Sequence, residues 1–218
     1  MIDMTRTGVG TYRFAISGSD AFSLYDVGAN VDRLIIDSSG NVGLGINSPT
    51  NYYSGADNLV VYQASGEAGI TVATATDTTG ALYFADGTSG DQQYRGGIAY
   101  THSTDKLSLV SGGSNKMIID SSGNVGIQHN DPEKHLSIGS AQGEGIQFTF
   151  DGTNNYRSQI LTYWNSSVDS RMDFNIARTS GQTPETIMSV GYNSNVGVGT
   201  QTPSTPLDRD WETTLLFQ

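Results

Sequence analysis

The chain has 218 residues, 22 acidic and 11 basic side chains, a formal net charge of −11 and no cysteine. This balance excludes electrostatic binding to nucleic acid or to an anionic membrane, and the lack of cysteine excludes disulfides and thiolate metal sites. Only 36% of the residues are hydrophobic, while Gly, Ser, Thr and Asn are abundant, so the class expected is all-β with short strands and many turns, and a single large core is not expected.

Met1–Arg6 carries no signal-peptide core, and no apolar run reaches the length of a membrane span. Tyr12-Arg13-Phe14-Ala15-Ile16 reads as a strand. Arg33-Leu34-Ile35-Ile36-Asp37-Ser38-Ser39-Gly40-Asn41-Val42-Gly43-Leu44-Gly45 then reads as a β-hairpin. Its apolar run leads into Asp-Ser-Ser-Gly-Asn, the pattern of a type I turn with a glycine bulge, and Val42, Leu44 and Ile46 alternate with small or polar residues. Gly at alternate positions of a strand predicts close approach of another backbone, from a packed sheet or from a neighbouring chain. Asn47-Ser48-Pro49 ends the strand, because Pro has no ladder donor.

The same phrase returns at Lys116–Ile127, followed by Asn130-Asp131-Pro132. A worn copy runs from Ile187 to Gly199, followed by Gln201-Thr202-Pro203. Here Ser194 replaces the turn glycine, and Asn193 is expected to supply a left-handed residue instead. A second motif, Tyr-Arg-x-x-Ile, precedes each hairpin at Tyr12, Tyr94 and Tyr156. Two motifs in one order, three times, indicate tandem units. They divide the chain into 1–49, with its front missing, then 50–132 and 133–203. Residues 204–218 open a further unit and run into an off-pattern tail from Asp208, read as a frame slip, a cloning scar or an assembly artefact, with a real terminal strand as the alternative. The missing front predicts that the chain begins inside a longer protein.

Catalytic and metal-binding readings are weak. The Asp37 loop has one carboxylate and no EF-hand spacing. His102, His129 and His135 are scattered and read as exposed loop residues. Gly43-Leu44-Gly45 and Gly197-Val198-Gly199 lie within strands, unlike a dinucleotide fingerprint. The carboxylate pairs Asp169/Asp173 and Asp131/Glu133 are what any acidic chain offers, so a glycosidase is the weakest reading. Arg13, Arg95 and Arg157 recur in step with the fold and are expected to pair across strands. The non-repeated aromatics Tyr52, Tyr53, Tyr163 and Trp164 are the candidate receptor contacts, since exposed rings stack on sugars and form binding hot spots. No cofactor is expected.

Residues 33–49, 116–138 and, more weakly, 187–207 carry an Ile-Asp-Ser-Ser-Gly-Asn-Val-Gly-Ile phrase followed by Pro and a Leu-x-Ile strand. This resembles bacteriophage tail-fibre and related virion host-recognition proteins. The resemblance implies an elongated homotrimeric fibre of β-rich modules, hairpins or small sandwiches. It also implies a virion location after assembly in the host cytoplasm, and contact with a glycan or protein receptor on the host surface. Nothing in the chain matches the self-cleaving chaperone domain of many such fibres. In a trimer, Gly43, Gly45, Gly126, Gly197 and Gly199 are expected near the shared axis. A bacterial cell-surface adhesin with the same repeat is the first alternative, and a tail-spike polysaccharide depolymerase the second.

Overall fold

A computed structural model describes residues 1–16, 20–151, 156–164, 170–177, 183–192 and 195–199. The expected turn at Asn193-Ser194, the third proline and the tail from Asp208 lie outside them. The chain divides into two compact units, Met1–Ala73 and Thr74–Gln218. The fold is all-β, as expected. No helix among the described residues is long and apolar enough to cross a membrane.

The first unit holds one sheet in chain order: β1 (Ile2–Arg6), β2 (Gly10–Ile16), β3 (Phe22–Asp26), β4 (Val31–Ile36), β5 (Val42–Leu44) and β6 (Leu59–Val61). The first five strands form an antiparallel meander. The chain then crosses through a 3-10 turn at Pro49–Asn51, and β6 joins β5 in parallel. The second unit repeats this plan with β7 (Thr79–Phe84), β8 (Gly96–Thr101), β9 (Lys106–Ser111), β10 (Ser114–Ile119), β11 (Val125–Ile127) and β12 (Leu136–Ile138), where β12 is again parallel to β11. A third sheet follows with β13 (Glu144–Asp151), β14 (Tyr156–Tyr163), β15 (Arg171–Ile176), β16 (Glu185–Gly191) and β17 (Val196–Val198).

The proline therefore does not close a sheet. It turns the chain into one more strand of the same sheet, so the sequence boundaries after 49 and 132 fall before β6 and β12. The first sheet also has its leading strand, β1, ahead of the Tyr-Arg strand.

Register makes the three sheets equivalent residue by residue. One buried row runs Ala15–Ser23–Ile35–Gly43–Val60. Its counterparts are Ala99–Ser108–Ile118–Gly126–Ser137 and Leu161–Asp173–Ser189–Gly197. Each sheet has a bulge just before this row, at Arg33, Lys116 and Ile187. The carbonyl of each bulged residue accepts a bond from the residue after the following strand, from Gly45, Gln128 and Gly199 in turn. All three donors are left-handed, with φ of 75°, 52° and 74°. The bulge and the strand exit are one device, repeated three times.

The turns form as their residues dictate. Asp37 Oδ1 accepts from the backbone of Ser39 and Asn41, and Asp120 Oδ1 accepts from Ser122 and Asn124. Gly40 and Gly123 are left-handed, with φ of 90° and 81°. The Asp37 carboxylate is held below the usual range by the Asn41 amide above all, against burial. At Asp120 burial pulls upward, and the bonds from Asn124 and Ser122 outweigh it.

The strand glycines have a nearer cause than a packed sheet or a neighbouring chain. A Cβ on Gly43 would stand 2.4 Å from the Ile46 carbonyl oxygen, and one on Gly126 would stand 2.0 Å from that of His129. The segment after the first and the second hairpin folds back over its own sheet, with Pro49 fully buried and Pro132 buried. Gly45 and Gly199 are exposed and left-handed; a Cβ on Gly45 would also stand 2.3 Å from the Tyr62 carbonyl oxygen, while Gly199 has open space around it.

The other face of every sheet is apolar. In the first sheet the rows Ile2–Phe14–Leu24–Leu34–Leu44–Val61 and Ile16–Phe22–Ile36–Val42–Leu59 share it. The second sheet offers Leu82–Ile98–Leu109–Met117–Ile127–Ile138, and the third Ile146–Ile160–Phe174–Met188–Val198. Many of these side chains are exposed in the single chain, among them Ile2 at 67%, Leu82 at 60% and Val198 at 73%.

Candidate functional site

The Tyr-Arg motif does not mark one structural position. Arg95 and Arg157 stand four residues ahead of the buried-row residues Ala99 and Leu161, whereas Arg13 stands two ahead of Ala15. Arg13 makes the expected cross-strand pair, two bonds to Asp3 at 2.8 and 3.1 Å. Arg95 follows a 3-10 turn, Gly90–Tyr94, and precedes its strand. It lies 3.6 Å from Asp86 and 3.7 Å from Asp91. The Nε of Arg157 is buried with no hydrogen-bond partner among the described residues.

Of the histidines, only part of the expected exposure is found. His135 is exposed, His102 meets the Tyr100 ring edge-on at 5.1 Å, and His129 is half-buried. Asp131 is tied to Lys106 at 2.6 Å, and this bond holds its carboxyl below the ordinary range. Asp169 lies outside the described residues. Asp173 is fully buried, accepting from Ser189 Oγ at 2.7 Å and from Arg171 Nε at 3.1 Å.

The candidate aromatics fall in two places. Tyr52 and Tyr53 follow the 3-10 turn of the first unit, at 47% and 80% exposure, and the Tyr53 ring lies over Gly55. Tyr163 and Trp164 end β14 in the second unit. Tyr163 is half-buried, with the Arg171 guanidinium 4.1 Å from its ring centre, while Trp164 is 69% exposed. The backbone sets this corner. The turn 139–143 is clasped to the end of β14 by Ser140 to Thr162 at 2.6 Å and by the Gln142 amide donating to the Trp164 carbonyl.

Beside that turn, between β12 and β13, lies a cleft of about 360 Å³. Its lining includes Ile138, Leu161, Gln128, Glu144, Gln147 and Gln159. Gln147 and Gln159 face each other across β13 and β14, and Asn175 faces Gln159 across β14 and β15. The Gln159 amide donates to Gln147 Oε1 at 2.8 Å, and the Gln147 amide donates to Thr149 at 3.0 Å. Asn175 is only 7% exposed, and its Oδ1 has no hydrogen-bond partner among the described residues. The amides carried no motif in the sequence. Only pairing brings 147, 159 and 175 into one row.

No protein-family model matches the chain, and no curated protein matches it.

Proposed function

We propose that the chain is a structural and adhesive segment of a homotrimeric phage tail fibre that binds a glycan or protein receptor on the host surface, without catalysis. The observation that carries this reading is the exposed apolar face repeated on three equivalent sheets. A face built of Phe14, Leu24, Leu34 and their counterparts is too large and continuous for a lone chain in water, and such patches mark association surfaces. Packing copies of the chain face to face gives the sparse apolar strands a shared core. The resemblance of the Ile-Asp-Ser-Ser-Gly-Asn repeat to tail-fibre proteins supports the fibre class, and three chains are what that class implies. Weak contacts from three chains would then add through effective concentration.

The test is the molar mass of the full chain by light scattering on a sizing column, beside the double variant Leu34→Glu/Met117→Glu. An extended trimer in the parent and a smaller species with unchanged β circular dichroism in the variant support the proposal. A compact parent monomer, or a variant of unchanged mass, overturns it. If the variant does not fold, chemical cross-linking of the parent gives the same decision through its highest discrete band. Saturable retention of labelled protein on intact bacterial cells tests the adhesive half.

A further inference from the structure

The amide row of the third sheet has no counterpart in the other two. The equivalent positions are Asp3, Arg13 and Tyr25 in the first sheet and Tyr83, Gly97 and Val110 in the second. Those positions are filled by an ion pair and by aromatic, aliphatic or small residues. At this row the third sheet carries three primary amides, and at the neighbouring row it carries Asp173 and Ser189 where the other two have Ser and Ile. The amide row coincides with the cleft, since Gln147 and Gln159 both line it.

The row is also incompletely satisfied. Asn175 Oδ1 is a buried acceptor without a donor, and Arg157 Nε, two residues from Gln159 on the same face of β14, is a buried donor without an acceptor. Buried polar atoms are normally paired, so unpaired ones mark places that a ligand or solvent completes. Neither residue lines the cleft; the two glutamines beside them do.

We propose that the cleft between β12 and β13, walled by the hydrogen-bonded amides of Gln147 and Gln159, is a binding site for a neutral saccharide. The volume of about 360 Å³ lies within the range that holds small ligands, about 300–1,000 Å³, and suits one or two sugar rings. Amides bond vicinal hydroxyls in pairs, using both the carbonyl oxygen and the NH₂ group. Ile138 and Leu161 supply an aliphatic wall for the ring's C–H face. Tyr163 touches the cleft through Gly143, whose added Cβ would lie 3.4 Å from its ring, and exposed Trp164 is held to the neighbouring Gln142. An acidic sugar is disfavoured by Glu144 in the lining and by the net charge of −11.

This inference rests on the adhesive reading and names the ligand class of that role. The full chain is titrated by saturation-transfer NMR against lactose, maltose, N,N′-diacetylchitobiose and neutral O-antigen polysaccharide, with sialyllactose and polygalacturonate as acidic probes and a mixed hexapeptide library as the peptide probe. The expected result is saturable binding of at least one neutral saccharide, weakened at least tenfold by Gln147→Ala and by Gln159→Ala, and unchanged by Tyr52→Ala in the other unit. Molar mass and melting temperature are measured on each variant, so that lost binding is separated from lost folding. Gln147→Glu is the second variant, keeping the side chain's size while removing its donor. Binding of acidic probes only, of peptide only, of no probe, or of a neutral sugar indifferent to both glutamines overturns the inference. A trimer that binds no saccharide leaves the fibre reading standing, whereas a monomer that binds through the glutamines sinks that reading alone.

Discussion

Replacing Gly126 by Ala tests the claim that Gly43 and Gly126 are required by the chain's own return segments. In an ordinary strand the change would be favourable by about 0.5–1 kcal/mol, because Ala restricts the unfolded chain. Here the new methyl would sit 2.0 Å from the His129 oxygen, 3.1 Å from its carbon and 3.5 Å from Pro132. The oxygen has to retreat by about 1 Å to reach even the shortest contact that real Cβ atoms make. The segment cannot move freely. Lys106 holds the Asn130 carbonyl at 2.9 Å and Asp131 at 2.6 Å, and Asn124 holds the Pro132 carbonyl at 3.3 Å. Overpacking of this kind costs about 1–3 kcal/mol, so a net loss of about 1–2 kcal/mol is expected.

Two controls separate packing from backbone conformation. Gly123→Ala has open space but a φ of 81°, and should lose about 1 kcal/mol through conformation alone. Gly69→Ala has neither obstacle and should be neutral or stabilising by up to about 1 kcal/mol. Urea unfolding followed by circular dichroism, at one protein concentration throughout, gives the three differences. If Gly126→Ala is as stable as Gly69→Ala, the return segment does not dictate the glycine and the reasoning fails.

Three further outcomes follow from the same geometry. The carboxyls of Asp3, Asp26, Asp37, Asp120 and Asp131 are all depressed in the folded chain, through Arg13, Arg33, the two turns and Lys106. Their stabilisation is therefore complete above the ordinary aspartate pKa of about 3.9 and is lost as pH falls through the lower folded values. Urea midpoints should hold from neutrality to about pH 5 and drop below about pH 4, less steeply in Asp37→Asn/Asp120→Asn, and a midpoint flat to about pH 2 would contradict this. Asp173→Ser and Ser189→Ile, which together restore the pair found in the other two sheets, should each cost about 1–3 kcal/mol and couple favourably by more than about 1 kcal/mol when combined. Simple additivity of the two unfolding free energies would refute the pairing. Gln128, left-handed where the other copies have Gly45 and Gly199, should gain up to about 1 kcal/mol as Gln128→Gly. A lower melting temperature for that variant would mean that its side chain matters more than its backbone.

The local chemistry was legible in the chain. Asp-Ser-Ser-Gly-Asn specifies its turn through a carboxylate that reaches its own downstream amides, and alternating Val and Gly specify a strand, because both effects act within a few residues. The repeat made the all-β class and the threefold recurrence plain. What tertiary structure decided is everything set by pairing. The Tyr-Arg motif looked equivalent in three places, yet register shifts Arg13 by two residues against Arg95 and Arg157, and only Arg13 meets a carboxylate directly across the ladder. The alternating glycines called for a close backbone, but which backbone depends on where the chain turns after Pro49 and Pro132. It turns back over its own sheet and adds a parallel strand. The amide row was invisible because Gln147, Gln159 and Asn175 are distant in sequence and belong to no motif. The apolar face was half visible as alternation in each strand, but only the assembled ladders show that five or six strands place their large side chains on one side and leave them exposed.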